Sequence, residues 1–179
     1  MKKKIIFLDG DGTLWYPKKT KRTEKPHWIY HDPLTKNNYL KHLMLTPGTK
    51  NALKQLHERG IYLVVISANP YSSEVGRKEI KERLDHFGLS KYIYSYHASL
   101  GSVPDGKVDI MIETLGKLKL SKDDALMIGD SYFYDYLAAK NNGIDALFIN
   151  NQVAKMPDEP DETIIKINEI EEVLSLLYM

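Results

Sequence analysis

Ile5-Ile6-Phe7-Leu8-Asp9-Gly10-Asp11-Gly12-Thr13-Leu14-Trp15 decides how this chain is read. Four apolar residues in a row are too few for a helix and suit a short strand. That strand ends in two aspartates two residues apart and then turns on a glycine, which places a nucleophile and a proton donor around one point. The same letters open calcium-binding loops, which need oxygen ligands at positions 1, 3 and 5, glycine at 6 and glutamate at 12. Counted from Asp9, those last two positions hold Leu14 and Thr20, and no helix leads into the turn. A calcium loop is not expected. A solvated acidic turn is the plainer alternative for an isolated Asp-Gly.

Outward from this turn, Trp15 to Leu45 shows no sustained period and carries Pro26, Pro33 and several aromatics, so it reads as an inserted flap. Regularity starts at Thr46, a helix N-cap with Pro47 in the first helical position, followed by the apolar face of Leu53 and Leu56 and a stop at Gly60. Ile61 to Ile66 is a nearly unbroken β-branched run, the mark of a strand buried on both faces, and it ends at Ser67. A helix with Ile80, Leu84 and Phe87 follows, then a strand over Tyr92 to Tyr96. The next helix starts near Lys107 and buries Val108, Met111, Ile112, Leu115 and Leu118. Ala125 to Ile128 is a strand running into Gly129-Asp130-Ser131. Then come a helix from Tyr132 to Asn142, a strand over Ala146 to Ile149, an acidic loop from Pro157 to Glu162, a strand over Thr163 to Ile167 and a helix from Glu169 to Leu177.

Strands alternating with helices predict an α/β fold with a parallel sheet covered on both faces. The carboxyl ends of such strands form the binding crevice. Asp9, Asp11, Ser67 and Asp130 arrive there from three strands, and Lys107 enters from the start of a helix.

Composition narrows the function. A chain of 179 residues suits one domain with a continuous core. The absence of cysteine excludes disulfides, thiol catalysis and cysteine-ligated zinc. The six histidines show no metal-ligand spacing; His27 and His31 lie four apart in the aromatic flap, outside any helical pattern, so zinc is not expected. With 25 basic and 24 acidic residues, nothing suggests a surface for nucleic acid. Lys2 to Lys4 followed by apolar residues imitates a signal peptide, but Asp9 ends the run. No segment approaches the length of a membrane span, and a cytoplasmic location is expected.

A phosphate ester is a dianion, and an attacking carboxylate is repelled unless positive charge offsets both. Magnesium prefers one or two carboxylates with waters and a substrate phosphate, a role that Asp9 and Asp130 fit. Lys107 supplies a fixed cation and Ser67 a hydroxyl. Amides of the turn from Asp9 to Thr13 can point at phosphoryl oxygens.

Asp9-x-Asp11-Gly-Thr13, Ser67 after the second buried strand, Lys107 at a helix start and Gly129-Asp130-Ser-x-x-x-Asp135 resemble, in order, the four motifs of the haloacid dehalogenase (HAD) superfamily. The resemblance covers the chain apart from the flap. It implies a Rossmann-like three-layer fold, one domain over residues 1–179, and phosphomonoester hydrolysis through an aspartyl-phosphate. Asp9 would be the nucleophile. Asp11 would protonate the leaving alkoxide and then activate water. Ser67, Ala68 and Lys107 would hold the phosphoryl group, and magnesium would bind Asp9, the Asp11 main-chain carbonyl and Asp130. Thr13 and Asp135 would act behind these, Asp135 through water or by orienting Lys107. Within the superfamily the chain looks most like the magnesium-dependent phosphatases with a minimal cap, the cap being residues 15–45. That group usually has arginine after the motif serine, where this chain has Ala68-Asn69, and paired aspartates where it has Gly129-Asp130. Trp15, Trp28 and Asn69 are the candidates for selecting a substrate, which would be a small phosphorylated metabolite of sugar-phosphate type or a phosphopeptide. A flap this short leaves the crevice partly open.

A phosphoacceptor signalling module uses similar residues, but its acidic pair is adjacent and its acceptor lies on a later strand. A non-catalytic interaction domain is a further alternative. Dehalogenation is disfavoured because halide needs no acid at Asp11, and phosphomutase activity because excluding water needs a larger cap.

Overall fold

The structure is a computed structural model that describes residues 2–69, 73–100, 106–151 and 164–177. Its elements are β1 (Ile5–Leu8), the flap elements β2 (Trp15–Pro17), α1 (His27–His31) and β3 (Leu43–Leu45), then α2 (Thr49–Glu58), β4 (Tyr62–Asn69) and α3 (Ser73–His86). There follow β5 (Ser95–Leu100), α4 (Gly106–Leu118), β6 (Ala125–Gly129), a π-helical turn (Tyr132–Leu137) leading into α5 (Ala138–Asn141), β7 (Asp145–Ile149), β8 (Lys166–Ile167) and α6 (Val173–Leu176).

The main sheet has the order β5-β4-β1-β6-β7-β8, with every pair parallel. The chain moves from β1 to β4 and β5 on one side, then crosses to β6, β7 and β8 on the other. The order therefore reverses at β1, and the ends of β4, β1 and β6 lie side by side at the reversal, where open α/β sheets bind ligands. Leu8 pairs with Val65 on one side and with Ile128 on the other, so Asp9, Ser67 and Asp130 leave the sheet close together.

The unbroken apolar run of β1 follows from burial on both faces. Ile6 and Leu8 join one core, with Leu63, Val65 and Leu126; Ile5 and Phe7 join the other, with Val64, Ile66 and Met127. Each such side chain contributes roughly 1.5–3 kcal/mol on leaving water, and a slip of one residue would exchange the two faces.

Several elements differ from the sequence reading. Helix α2 starts after Gly48, which is in the left-handed region (φ 73°), and not at Pro47. The Thr46 hydroxyl does not cap it; it donates to the Thr13 carbonyl at 2.7 Å and ties the helix entry to the aspartate turn. Strand β4 runs past Ser67 to Asn69, because β5 continues the ladder through Ala98, Ser99 and Leu100. Strand β5 itself begins three residues later than Tyr92, which lies in a 3-10 turn. As an edge strand, β5 lacks the continuous apolar run of the central ones. On α4, Ile112 is 39% exposed, and the buried face is completed by Lys107 and Thr114. The loop from Pro157 to Glu162 and the start of the expected strand at Thr163 lie outside the described residues. The expected last helix divides into a 3-10 turn over Ile170–Glu172 and α6.

The flap is not shapeless. Strands β2 and β3 pair antiparallel at its root, Trp15 opposite Leu45, and Ile29 and Leu43 anchor it in the core. Among the described residues no helix is long and apolar enough to cross a membrane.

Candidate active site

The turn after β1 folds back on the Gly10 carbonyl, which accepts from the amides of Thr13, Leu14 and Trp15. Gly12 sits at φ 88°, and a Cβ built there would lie 2.2 Å from Asp130 Oδ2, so only glycine lets Asp130 close on the turn. The amides of Asp9, Gly12 and Thr13 are committed to Ile128, Trp15 and Gly10 carbonyls. The expectation that the whole turn offers its amides to an anion is thus narrowed to those of Gly10 and Asp11.

Asp9, Asp130 and Asp135 are buried and bring one carboxylate oxygen each within 4.8 Å of one another. Lys107 Nζ lies 2.6 Å from Asp9 Oδ1 and 2.6 Å from Asp135 Oδ1. Burial acts against the Lys107 charge, but the two carboxylates outweigh it and raise its pKa. Burial pushes the Asp135 carboxyl up to about 7 despite Lys107, with Asp9 adding to the rise. Asp130 is likewise raised by burial, against the pull of Lys25. Carboxylates crowded in this way, with too little positive charge among them, suit a hard divalent ion.

The π-helical turn explains how Asp135 reaches the site. The Tyr136 amide bonds back five residues to the Ser131 carbonyl, and the Ser131 amide donates to Asp135 Oδ2 at 3.0 Å. Such bulges recur at functional sites because they re-aim one side chain. A Cβ on Gly129 would lie 2.2 Å from Asp135 Oδ2, so the glycine found where the resembled group carries an aspartate makes room for this carboxylate.

Ser67 is buried beside Gly10; a Cβ on that glycine would lie 3.0 Å from Ser67 Oγ. Ala68 is exposed at the same strand end. Asn69 is the last residue of β4, and its side chain lies outside the described part. Thr13 is fully buried, with its hydroxyl 3.4 Å from Asp9 Oδ2. Trp15 has no exposed surface and is held inward, against the aspartate turn. Its indole Nε1 donates to Asp11 Oδ1 at 2.5 Å, and its ring stacks on Phe87. Trp28 packs partly against the core next to the flap.

The sequence reading missed the groups that the flap brings in. Tyr30 donates to Asp11 Oδ1 at 2.8 Å, His27 Nε2 stands 3.8 Å from Asp11 Oδ2, and Lys25 Nζ stands 2.5 Å from Asp130 Oδ1. Arg83, buried on α3, lies over the Tyr30 ring at 4.3 Å and the Tyr39 ring at 5.2 Å and clamps the flap by cation–π contact. Asn151 donates to Asp130 Oδ2 at 3.0 Å from beyond the end of β7. Two signals were present: Arg83 interrupts the apolar face of Ile80 and Leu84, and Asn151 follows a buried strand at its carboxyl end. The flap offered none. With the flap in place, among the described residues, Asp130 is 1% and Asp9 6% exposed.

The chain matches the family model for haloacid dehalogenase-like hydrolases over residues 3–149. No curated protein matches it. Among solved structures, its fold is shared by an uncharacterised protein of Listeria monocytogenes serotype 4b (23% identity, TM-score 0.72, 97% of this chain and 98% of that one). It is shared by a HAD phosphatase of Thermococcus onnurineus (19%, TM-score 0.70, 99% and 98%). The Bacillus subtilis protein YfnB, bound to magnesium, has it too (14%, TM-score 0.72, 100% of each). At these identities the likeness is one of fold. The family model spans β1 to β7 and every aspartate of the site, and the chain belongs to the haloacid dehalogenase-like hydrolases.

Proposed function

We propose that this hydrolase is a magnesium-dependent phosphatase of small phosphorylated metabolites, working through a phosphoaspartate on Asp9, with residues 15–45 as a minimal cap on a single catalytic domain. The observation that carries this reading is the different keeping of two neighbouring carboxylates. Asp9 is against the Lys107 ammonium, and Asp11 has one oxygen filled by Trp15 and Tyr30 and the other turned toward His27. A nucleophile and a proton carrier need such unlike surroundings. Phosphatase names among the structural neighbours agree with it.

Asp9 and Asp130, with the Asp11 main-chain carbonyl, are the residues that would hold magnesium, and their oxygen-only set suits that ion. When bound, magnesium supplies positive charge that offsets the phosphate dianion and the attacking carboxylate. Asp9 attacks phosphorus as the bond to the alcohol oxygen breaks, and Asp11 gives its proton to the departing alkoxide. A water molecule then attacks the phosphoaspartate, Asp11 takes its proton, and Asp9 is regenerated as phosphate leaves. Lys107 holds phosphoryl oxygens through both steps, fixed by Asp135. Ser67, the Ala68 backbone and the amides of Gly10 and Asp11 complete the cradle. The flap over Asp11 and Asp130 favours a small metabolite over a phosphopeptide.

Phosphate release from a panel of small phosphomonoesters, with magnesium and with chelator, tests this for the wild type and Asp9→Asn. Release that needs both magnesium and Asp9 is expected. A folded, magnesium-supplied wild type that releases phosphate from none of them would refute it.

A further inference from the structure

Lys25 is a flap cation that the reaction just described leaves without a task. Its ammonium stands against Asp130 Oδ1, whose side chain has no exposure, while the Lys25 side chain is 31% exposed. Burial works against its charge, and Asp130, Asp9 and Asp135 together outweigh that effect and raise its pKa. The other Asp130 oxygen accepts from Asn151. Asp130 is also one of the carboxylates that would hold magnesium, so the ammonium and the divalent ion are rivals for the same group. Once the ion has Asp130, Lys25 is a partly buried cation beside a second cation, and such a charge is costly unless another anion replaces the lost one.

The phosphoryl group already has Lys107, the ion, Ser67 and two turn amides around it. Lys25 reaches the site from the flap, against Asp130. Two residues further along, His27 stands beside Asp11 Oδ2, and Tyr30 reaches Asp11 Oδ1. This stretch of flap therefore lies where Asp11 must meet the leaving oxygen. We propose that Lys25 is the flap's substrate-recognition cation, released from Asp130 by the divalent ion to bind a second anionic group, a carboxylate, carried on the leaving-group side of the phosphate ester. The substrate class is then short phosphorylated carboxylic acids, and the proposal rests on the phosphatase reading.

Two measurements test it. The first is a calorimetric magnesium titration without substrate, comparing wild type with Lys25→Met. Removing the rival should tighten magnesium binding by about tenfold, the scale of one charge-assisted contact; unchanged or weaker binding would overturn the rivalry. The second compares 3-phosphoglycerate with glycerol 3-phosphate, two three-carbon esters that differ in a carboxylate against a neutral hydroxymethyl group. Wild type should prefer the acid. Lys25→Met should lose about tenfold to a hundredfold in kcat/KM for the acid, mainly through KM, and less than about threefold for the neutral ester. Lys25→Arg should keep the preference, and Lys25→Gln, which also removes the charge, stands in if the methionine variant folds poorly. An equal loss on both esters would put Lys25 on the transferred phosphoryl group and overturn the assignment, as would no loss on either. The phosphatase reading fails separately: wild type then releases phosphate from no ester, whereas the magnesium titration still reads the rivalry.

Discussion

Asp9 and Asp11 stand two residues apart yet are held by different parts of the molecule. The described side-chain contacts of Asp9 come from outside the flap, from Thr13 and Lys107. Those of Asp11 come from within it, from Trp15, His27 and Tyr30. The doubly wound body thus carries the half of the site that would handle the phosphoryl group, and the insert carries the half that would meet the leaving group. A phosphoryl group is the same in every monoester, so a rigid sheet end suits it; leaving groups differ, and a short insert between β1 and α2 can change without disturbing the sheet.

Asp9→Asn should be the most damaging change, cutting turnover by roughly four orders of magnitude or more while the melting temperature stays near that of wild type. Equal loss from a conservative change within the flap would erase the division between the two halves. Lys107→Ala should slow the chemical step by about a hundredfold to a thousandfold for every ester alike, and weaken inhibition by inorganic phosphate. A loss confined to some leaving groups would move Lys107 to the other half.

Tyr30→Phe removes one donor from Asp11 and should act unevenly. Alkyl phosphates, whose alkoxide needs a proton, should lose about tenfold or more, and an aryl phosphate with a good leaving group much less. A uniform loss, together with a lower melting temperature, would make Tyr30 only part of the Arg83 clamp.

Metal and protons should compete on the body side. A carboxyl raised from 3.8 to about 7, as Asp135 is, binds its proton more tightly in the folded state. In magnesium-free protein its contribution to stability is complete below about pH 4 and is lost as the pH rises through about 7. Magnesium should therefore raise the melting temperature more at pH 8 than at pH 5.5, and an equal rise at both would contradict the crowding of Asp9, Asp130 and Asp135. The smallest effect expected is that of Trp28→Ala. Trp28 packs partly on the core, so a modest fall in melting temperature with an unchanged ranking of substrates would keep it as an anchor of the flap. A changed ranking would give it a part in recognition.

The same division explains what the sequence made legible. Strands β1, β4, β6 and β7 are buried on both faces, and continuous apolar runs announce them; the residues that follow them include Asp9 and Asp130. Edge strand β5 reads Ser-Tyr-His-Ala-Ser-Leu and was displaced by three residues. Lys25, His27 and Tyr30 could not be placed because an aperiodic insert has no register from which to argue. Gly129, a departure from the resembled group in sequence, becomes intelligible only once the π-helical turn folds Asp135 against it.

The most direct test of the central claim is to trap the intermediate. Enzyme turning over a phosphomonoester with magnesium would be quenched in acid, reduced with borohydride and mapped by mass spectrometry. Reductive labelling at Asp9 alone is the predicted result. Labelling at another residue, or none during measurable turnover, would contradict the account.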